Sequence, residues 1–192
     1  MPHIVFNPEA PPESYFPGPD HCAAASPDAP PAPPYTSCLC QPPVHAIAAL
    51  LVWEVAKRNG GEEAAAALAF LRESYPKLLL WHRYLLTYRD PEGSGLITIF
   101  HPWENGTDNS PQWVTLLAAV EIGDLTPYPR YDLQHVANRS QRPTDADYDR
   151  HLWLVKLIKR AGCNERSIYR SHPFLVKDVL FTGGPRRKRL AA

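Results

Sequence analysis

The sequence predicts an all-α fold that follows a proline-rich, irregular N-terminal arm. From residue 43 onwards, apolar residues recur at intervals of three and four, which is the spacing of one helix face. Glycines and prolines separate these stretches, and more than half of the 22 prolines lie before Val44. Strand-like character is limited to one short run, so helices dominate the prediction.

The arm, residues 1–40, is rich in proline, alanine and serine, a composition that excludes a regular helix or a central strand. One interpretation is a disordered arm. The other is a loop that lies over a binding pocket, with Tyr15, Phe16 and His21 reaching into it. Because disordered linkers rarely carry a Tyr-Phe pair and a further tyrosine, Tyr35, we expect the arm to be partly ordered.

The first three helices are predicted from periodicity and end signals. Val44–Asn59 has apolar residues at helical spacing and stops at a glycine pair. Glu62–Tyr75 is alanine-rich and begins with acidic residues, which suit the positive end of the helix dipole. Pro76 is expected to start a third helix that runs to Asp90.

The second half of the chain is predicted to contain one short strand and three further helices. The β-like run Leu96–Phe100 follows a turn rich in glycine and proline. The helices are expected over Pro111–Ile122, Asp145–Ala161 and Glu165–Leu180, the last interrupted near Pro173.

The segment between the predicted strand and the fourth helix carries most of the chemical information. Residues 101–113 read HPWENGTDNSPQW and combine two carboxylates, two indoles, a glycine and three amides. Aromatic faces cover the apolar side of a sugar ring, amides bind its hydroxyls, and a carboxylic acid can protonate its glycosidic oxygen. A carboxyl group beside an indole also loses solvation, which raises its pKa.

The same residues also suit an ordinary capped loop. Asn109 or Ser110 can cap a helix that has Pro111 at its first position. From the residues alone, the capped loop and the sugar site are equally supported. Glu104 and Asp108 would be neighbours on a helix, but the intervening Asn-Gly pair favours a loop. In such a loop one of the two is expected to be the acid, and the other to bind the sugar or to support the acid.

This segment resembles the general-acid motif of glycoside hydrolase family 63 and of its relatives, the mannosylglycerate and glucosylglycerate hydrolases. In that group the motif reads approximately W-E-(S or N)-G-x-D-N-S-P-x-W-D. The resemblance continues at Gln41-Pro42-Pro43, between Arg142 and Tyr148, and from Pro173 to Phe181. It implies that residues 41–182 form the first half of a six-hairpin glycosidase toroid, that is, a partial (α/α)6 barrel.

The resemblance implies an enzyme that hydrolyses a small α-glycoside, such as mannosylglycerate or glucosylglycerate, with inversion and without a cofactor or metal. Asp108 would be the general acid. Sugar or glycerate contacts would come from Gln41, Trp103, Glu104, Gly106, Arg142 and Tyr148. From the residues alone, Arg142 would as readily pair with Asp145 or Asp147, and Tyr148 would as readily be a core residue.

Some features depart from the family pattern. Val114 stands where the family has an aspartate, and nothing here matches the motif of the general-base glutamate, which the family places beyond residue 182. Residues 183–192 form a basic tail in place of the expected helix, so we expect a truncated product whose end is out of register. We expect its apolar flank to promote self-association or to bind a complementing half-barrel chain. The alternative function is a non-catalytic remnant: a carbohydrate-binding or interaction module, or half of a split enzyme.

Composition indicates a cytoplasmic protein with no nucleic-acid or membrane partner. The chain is 44% hydrophobic with zero formal net charge, its apolar runs are too short to span a bilayer, and its start lacks signal-peptide features. The cysteines are therefore expected to be reduced thiols. The alternative, a zinc site built on Cys22, Cys38, Cys40 and His45, has a spacing unlike that of common zinc motifs.

Overall fold

The computed structural model describes residues 1–11, 14–22 and 35–183, without the side chains of Cys22 and His135. The chain divides into two compact units. The first contains residues 1–41 and 99–176, and the second contains residues 42–98 and 177–192. The predicted basic tail falls almost entirely outside the described residues, and the predicted boundaries after residues 40 and 182 stay predictions.

Helices dominate the described residues, as the sequence predicts, and the partial-barrel architecture remains an expectation. The α-helices are α1 Pro19–Cys22, α2 His45–Asn59, α3 Gly61–Tyr84, α4 Val114–Ala118, α5 Asp145–Arg160, α6 Glu165–Ser171 and α7 Val179–Thr182. The strands β1 Thr98–Ile99 and β2 Val176–Lys177 pair in a two-stranded sheet. A π-helical turn covers Leu85–Arg89, and 3-10 turns cover Pro102–Glu104, Pro111–Trp113, Tyr131–His135 and Arg139–Gln141.

Helices α2 and α5 match the predicted bounds to within one residue. Helix α2 ends at Gly60, whose φ of 77° lies in the region that favours glycine. Helix α5 begins after Thr144, whose side chain accepts a hydrogen bond from the backbone N–H of Asp147 at 3.2 Å. Acidic residues in its first turn and basic residues in its last turn complement the helix dipole.

The predicted helix boundary at Pro76 is wrong, because α3 runs through this residue without interruption. An internal proline removes one backbone hydrogen bond and crowds the preceding turn, at a cost of about 3 kcal/mol. Packing of α3 along α2 outweighs this local cost.

The helices predicted over Pro111–Ile122 and Glu165–Leu180 are shorter than expected. The stretch from Pro111 becomes a 3-10 turn followed by the short helix α4. The interruption near Pro173 is confirmed: α6 stops at Ser171, and His172 is extended, as the residue before a proline usually is. Strand β2 then separates α6 from α7, which was not predicted.

The described part of the arm packs into the first unit. Residues 2–6 pair antiparallel with residues 35–40, and the N–H of His3 donates to the carbonyl of Leu39 at 2.7 Å. The pairing places arm residues in a buried hydrophobic core that comprises Phe6, Leu39, Phe100, Val155, Ile158 and Ile168. The arm therefore contributes core side chains of its own.

The prediction that all cysteines are reduced thiols is wrong for one pair. Cys38 and Cys163 form a disulfide across 125 residues of sequence, with their Cα atoms 5.7 Å apart. The arm strand that carries Cys38 packs beside the end of α5, a juxtaposition that sequence spacing does not reveal. The disulfide also removes Cys38 from the zinc alternative, and the described side chains include no cluster of three or more residues suited to a metal ion. Cys40 is buried and does not take part in this disulfide.

Helices α2 and α3 form a hairpin that exposes many apolar side chains. Those on α2 point in several directions and include Leu50, Leu51, Val52 and Val55. Helices that are apolar on most sides are usually buried in larger assemblies. None of the described helices is long and apolar enough to cross a membrane. A cytoplasmic location stays a prediction.

We expect the chain to self-associate through this hairpin, because Leu51, Val55 and Phe70 line one exposed apolar groove. Sedimentation velocity should show species larger than the monomer, and a Leu51→Gln, Phe70→Gln double variant should shift the distribution towards the monomer. The control is Val114→Gln, which changes an exposed apolar residue of the other unit. A wild-type chain that sediments as a single monomer would contradict the prediction.

Candidate active site

A cavity of about 330 Å³ lies in the first unit and is of a size that suits a small ligand. Its polar and aromatic lining comes from the arm, from the loop of residues 101–113 and from the region before and within α5. These lining residues include His3, Tyr15, Phe16, Trp103, Asp108, Asn109, Asp132, Arg142 and Tyr148.

The structure brings four of the seven predicted site residues together around this cavity, namely Asp108, Trp103, Arg142 and Tyr148. The other three, Gln41, Glu104 and Gly106, are not among the described residues that line it. Of the arm residues expected to reach into the pocket, Tyr15 and Phe16 line it, whereas His21 lines a neighbouring cavity.

The structure corrects the predicted role of Glu104 as a substrate contact. This side chain is 0% exposed, and its two oxygens accept backbone hydrogen bonds from Cys40 at 2.8 Å and from Phe100 at 2.7 Å. The carboxylate therefore connects the arm to the strand that leads into the loop. Gly106 follows with a φ of 80°, which turns the chain between Glu104 and Asp108.

The predicted cap of the loop is confirmed at Ser110. The Ser110 side chain accepts a hydrogen bond from the N–H of Gln112 at 3.3 Å, and Pro111 occupies the first position of the 3-10 turn. The indole N–H of Trp113, a residue only 3% exposed, donates to the carbonyl of Thr107 at 3.0 Å. Capping and indole contacts together fix the turn that presents Asp108.

Burial and nearby charges act in opposite directions on the pKa of the Asp108 carboxyl group, and burial has the larger effect. Burial raises the pKa of its carboxyl group, while the charges of His3 and Arg142 act in the opposite direction and reduce the increase. One side of the residue stays open to solvent. A proton on this group is therefore accessible from the cavity.

Arg142 has a different ion-pair partner from those predicted. Its Nε lies 3.7 Å from an Asp132 carboxylate oxygen and donates to the Asp132 carbonyl at 3.4 Å. Asp145 and Asp147 instead pair with other arginines, namely Arg130, Arg139 and Arg150. The described hydrogen bonds and ion pairs of Arg142 involve only Nε, so among the described residues its two terminal nitrogens form neither.

Asp132 is held in its ionised form by Arg130. The guanidinium donates to both carboxylate oxygens, at 2.8 and 2.9 Å, and these bonds lower the pKa of Asp132. Arg130 also lies over the ring of Tyr148, 4.1 Å from its centroid. Asp132 and Arg142 thus supply charged side chains to the lining of the cavity, and Arg130 holds Asp132 in place.

Two buried histidines, His101 and His151, contact the ring of Trp103. His101 accepts from the N–H of Trp103 at 3.1 Å through Nδ1, so its Nε2 carries the proton and donates to the carbonyl of His151 at 3.0 Å. The ring centroid of Trp103 lies 4.5 Å from that of His101 and 5.4 Å from that of His151. These contacts fix the orientation of the Trp103 indole.

Sequence reasoning missed several lining residues, among them the polar residues His3, Asn109 and Asp132. Asn109 belongs to the motif and could have been included on that basis. His3 reaches the cavity only because the arm pairs with residues 35–40, and Asp132 lies in a segment without periodicity. No local pattern marks either of them.

We expect Glu104→Gln to destabilise the protein, because the side-chain amide can accept only one of the two buried backbone hydrogen bonds. One unpaired buried N–H should lower the free energy of unfolding by about 1–3 kcal/mol. Chemical denaturation measures this change. The matched control, Glu121→Gln, alters an exposed residue and should change stability by less than about 0.5 kcal/mol. Equal stability of the two variants would contradict the assigned role.

His151 should make stability depend on pH. Burial lowers its pKa to about 4, and within the described structure neither ring nitrogen has a hydrogen-bond partner. Below about pH 6.5 the unfolded state binds a proton that the folded state resists, so stability should fall from pH 6.5 to 4 by roughly 3 kcal/mol.

The matched variants are His151→Phe and His101→Phe, compared by thermal melts across this pH range. His151→Phe keeps an aromatic ring but has no titratable nitrogen. It should weaken the pH dependence of stability, with no loss of stability near pH 5. His101→Phe removes two hydrogen bonds and should destabilise the protein near pH 7. Because burial lowers the pKa of His101 as well, this loss should become smaller towards pH 4. An unchanged pH profile in His151→Phe would exclude this residue as the cause.

Comparison with known proteins connects this site to one family. A family model described as the mannosylglycerate hydrolase MGH1-like glycoside hydrolase domain matches residues 1–184. Mannosylglycerate hydrolase MGH1 of Selaginella moellendorffii is 45% identical over 179 residues, which are 93% of this chain and 34% of that protein. Glucosylglycerate hydrolase of Mycolicibacterium hassiacum is 41% identical over 183 residues, 95% of this chain and 41% of that protein.

Solved structures agree with these relatives. The crystal structure of the glycoside hydrolase family 63 mannosylglycerate hydrolase from Thermus thermophilus, in complex with Tris and D-glycerate, matches with a TM-score of 0.80 and 42% identity, covering 94% of this chain and 40% of that one. The chain thus spans about a third to two fifths of the length of these relatives. It belongs to the mannosylglycerate hydrolase MGH1-like family of glycoside hydrolases.

Proposed function

We propose that this chain provides the general-acid side of a site that hydrolyses the α-glycosidic bond of a small glycosylglycerate, such as mannosylglycerate or glucosylglycerate. The observation that carries the proposal is the position of Asp108. Its carboxyl group has a raised pKa and lines a ligand-sized cavity beside an indole and a guanidinium. The named activities of the relatives supply the substrate class.

In this proposal Asp108 acts in its neutral form. As the bond between the sugar carbon and the glycosidic oxygen breaks, Asp108 donates its proton to that oxygen and becomes a carboxylate. The rings of Trp103 and Tyr148 cover the apolar side of the sugar. Because the protonated form is required, the rate of this step should fall as pH rises through the raised pKa of Asp108.

Arg142 is the proposed binding group for the glycerate carboxylate. A guanidinium can donate two parallel hydrogen bonds to a carboxylate, and the terminal nitrogens of Arg142 are oriented by the bond from its Nε to Asp132. Asp132 remains paired with Arg130, so it stabilises the position of Arg142.

Inversion also requires a second carboxylate, about 6.5–9.5 Å from the acid, that activates water. Among the described lining residues the only other carboxylate is Asp132, and its two oxygens are bound by Arg130. We propose that the water-activating group comes from a segment or partner chain equivalent to the part of the relatives that this sequence does not match. That arrangement corresponds to a complementing half-barrel.

The commitment of Asp132 also favours a second candidate function, a carbohydrate-binding module without turnover. The cavity, with the rings of Trp103 and Tyr148 in its lining, would bind the same glycosides, and Asp108 would then act as a hydrogen-bond donor. The two candidates differ in whether bound glycoside is cleaved.

We expect Asp108→Asn to reduce mannose release from mannosylglycerate, or glucose release from glucosylglycerate, by about 10²–10⁴-fold, since it removes the transferable proton. The matched control, Asp124→Asn, alters an exposed aspartate that does not line the cavity and should leave the rate unchanged. Equal rates for wild type and Asp108→Asn would exclude Asp108 as the acid. The assay includes the part of a relative that this sequence does not match, because the proposal places the water-activating group there. If wild type then releases no sugar, calorimetric binding of mannosylglycerate would favour the binding module, and no binding would reject both candidates.

A further inference from the structure

The first unit contains a second cavity, of about 710 Å³, whose described lining does not include Asp108. Phe16 lines both cavities, and its ring stacks on Tyr128 with the centroids 5.4 Å apart. Leu152 and Val155 supply buried apolar surface. The volume lies in the range of cavities that bind small organic molecules.

Three cations occupy one side of this second cavity. Lys159 and Arg160 follow Lys156 on α5 by three and four residues, so both are neighbours of Lys156 on the helix surface. The ammonium groups of Lys156 and Lys159 donate to the backbone carbonyls of Asp124 and Asp20. The Arg160 guanidinium lies 5.1 Å from the centroid of the Trp153 ring. In the described structure none of the three forms an ion pair with a carboxylate.

The negative charge in the lining is smaller than the positive charge. Asp20 is the only carboxylate among the described lining residues, and it contacts the Nδ1 atom of His21 at 2.9 Å. The lining thus combines excess positive charge with two stacked aromatic rings and two buried aliphatic side chains. Such a lining is complementary to a molecule that has both an anionic group and an apolar body.

We propose that this second cavity is a binding site for an organic anion, in which a carboxylate, sulfonate or phosphate group is attached to an aromatic or apolar body. The anionic group lies against Lys156, Lys159 and Arg160. The apolar body lies between Phe16 and Leu152. This site is separate from the site proposed for the glycoside, which has Arg142 as its cation.

The test uses 8-anilinonaphthalene-1-sulfonate as the probe and its uncharged counterpart, N-phenyl-1-naphthylamine, as the matched ligand control. Calorimetry and fluorescence titration of the full chain should show saturable binding of one sulfonate per chain. Loss of one charged contact, in Lys156→Met or in Arg160→Met, should weaken this binding about tenfold. Arg142→Met removes the cation of the first cavity and should leave binding of the sulfonate unchanged.

Ionic strength provides a test that needs no variant. Added salt should weaken binding of the sulfonate and leave binding of the uncharged compound unchanged, because only the former is attracted by the cations. The proposal is overturned if both probes bind equally well, if Lys156→Met and Arg160→Met bind the sulfonate as wild type does, or if only Arg142→Met weakens binding.

Discussion

The candidate site depends on the buried carboxylate of Glu104. Its oxygens accept hydrogen bonds from the N–H groups of Cys40 and Phe100. These bonds connect the arm to the residue that follows β1 and precedes the motif. Since residues 35–40 also pair with residues 2–6, the same bonds fix the segment that carries His3. A buried carboxylate with two charge-assisted hydrogen bonds is difficult to replace. One side chain therefore positions both the loop of residues 101–113 and the arm.

Two carboxylates four residues apart thus serve different purposes. Glu104 is buried and bonded to backbone, whereas Asp108 lines the cavity and has its pKa raised by burial. The positive φ of Gly106 sends the two side chains into these different environments. Environment rather than residue type decides which carboxyl group can donate a proton to a ligand.

Local patterns in the sequence predicted the helical character, the bounds of α2 and α5, and the Ser110 cap, because periodicity and end signals depend on neighbouring residues. Family resemblance pointed to Asp108, Trp103, Arg142 and Tyr148, which the structure gathers around one cavity. Contacts between distant segments could not be predicted. The arm pairing, the placement of His3 and the disulfide all depend on residues far apart in sequence. Pro76 shows the converse, a local stop signal that packing overrides.

The disulfide between Cys38 and Cys163 encloses most of the chain in a covalent ring, since 125 residues separate its ends. The α2–α3 hairpin, the loop of residues 101–113 and all of α5 belong to this ring. The segment between α4 and the Tyr131–His135 turn, which has little regular structure, also lies inside it. A single backbone cleavage there would leave the fragments on one covalent skeleton. After such a cleavage the disulfide keeps the C-terminal fragment, which carries Arg142 and Tyr148, joined to the N-terminal fragment, which carries the arm and Asp108.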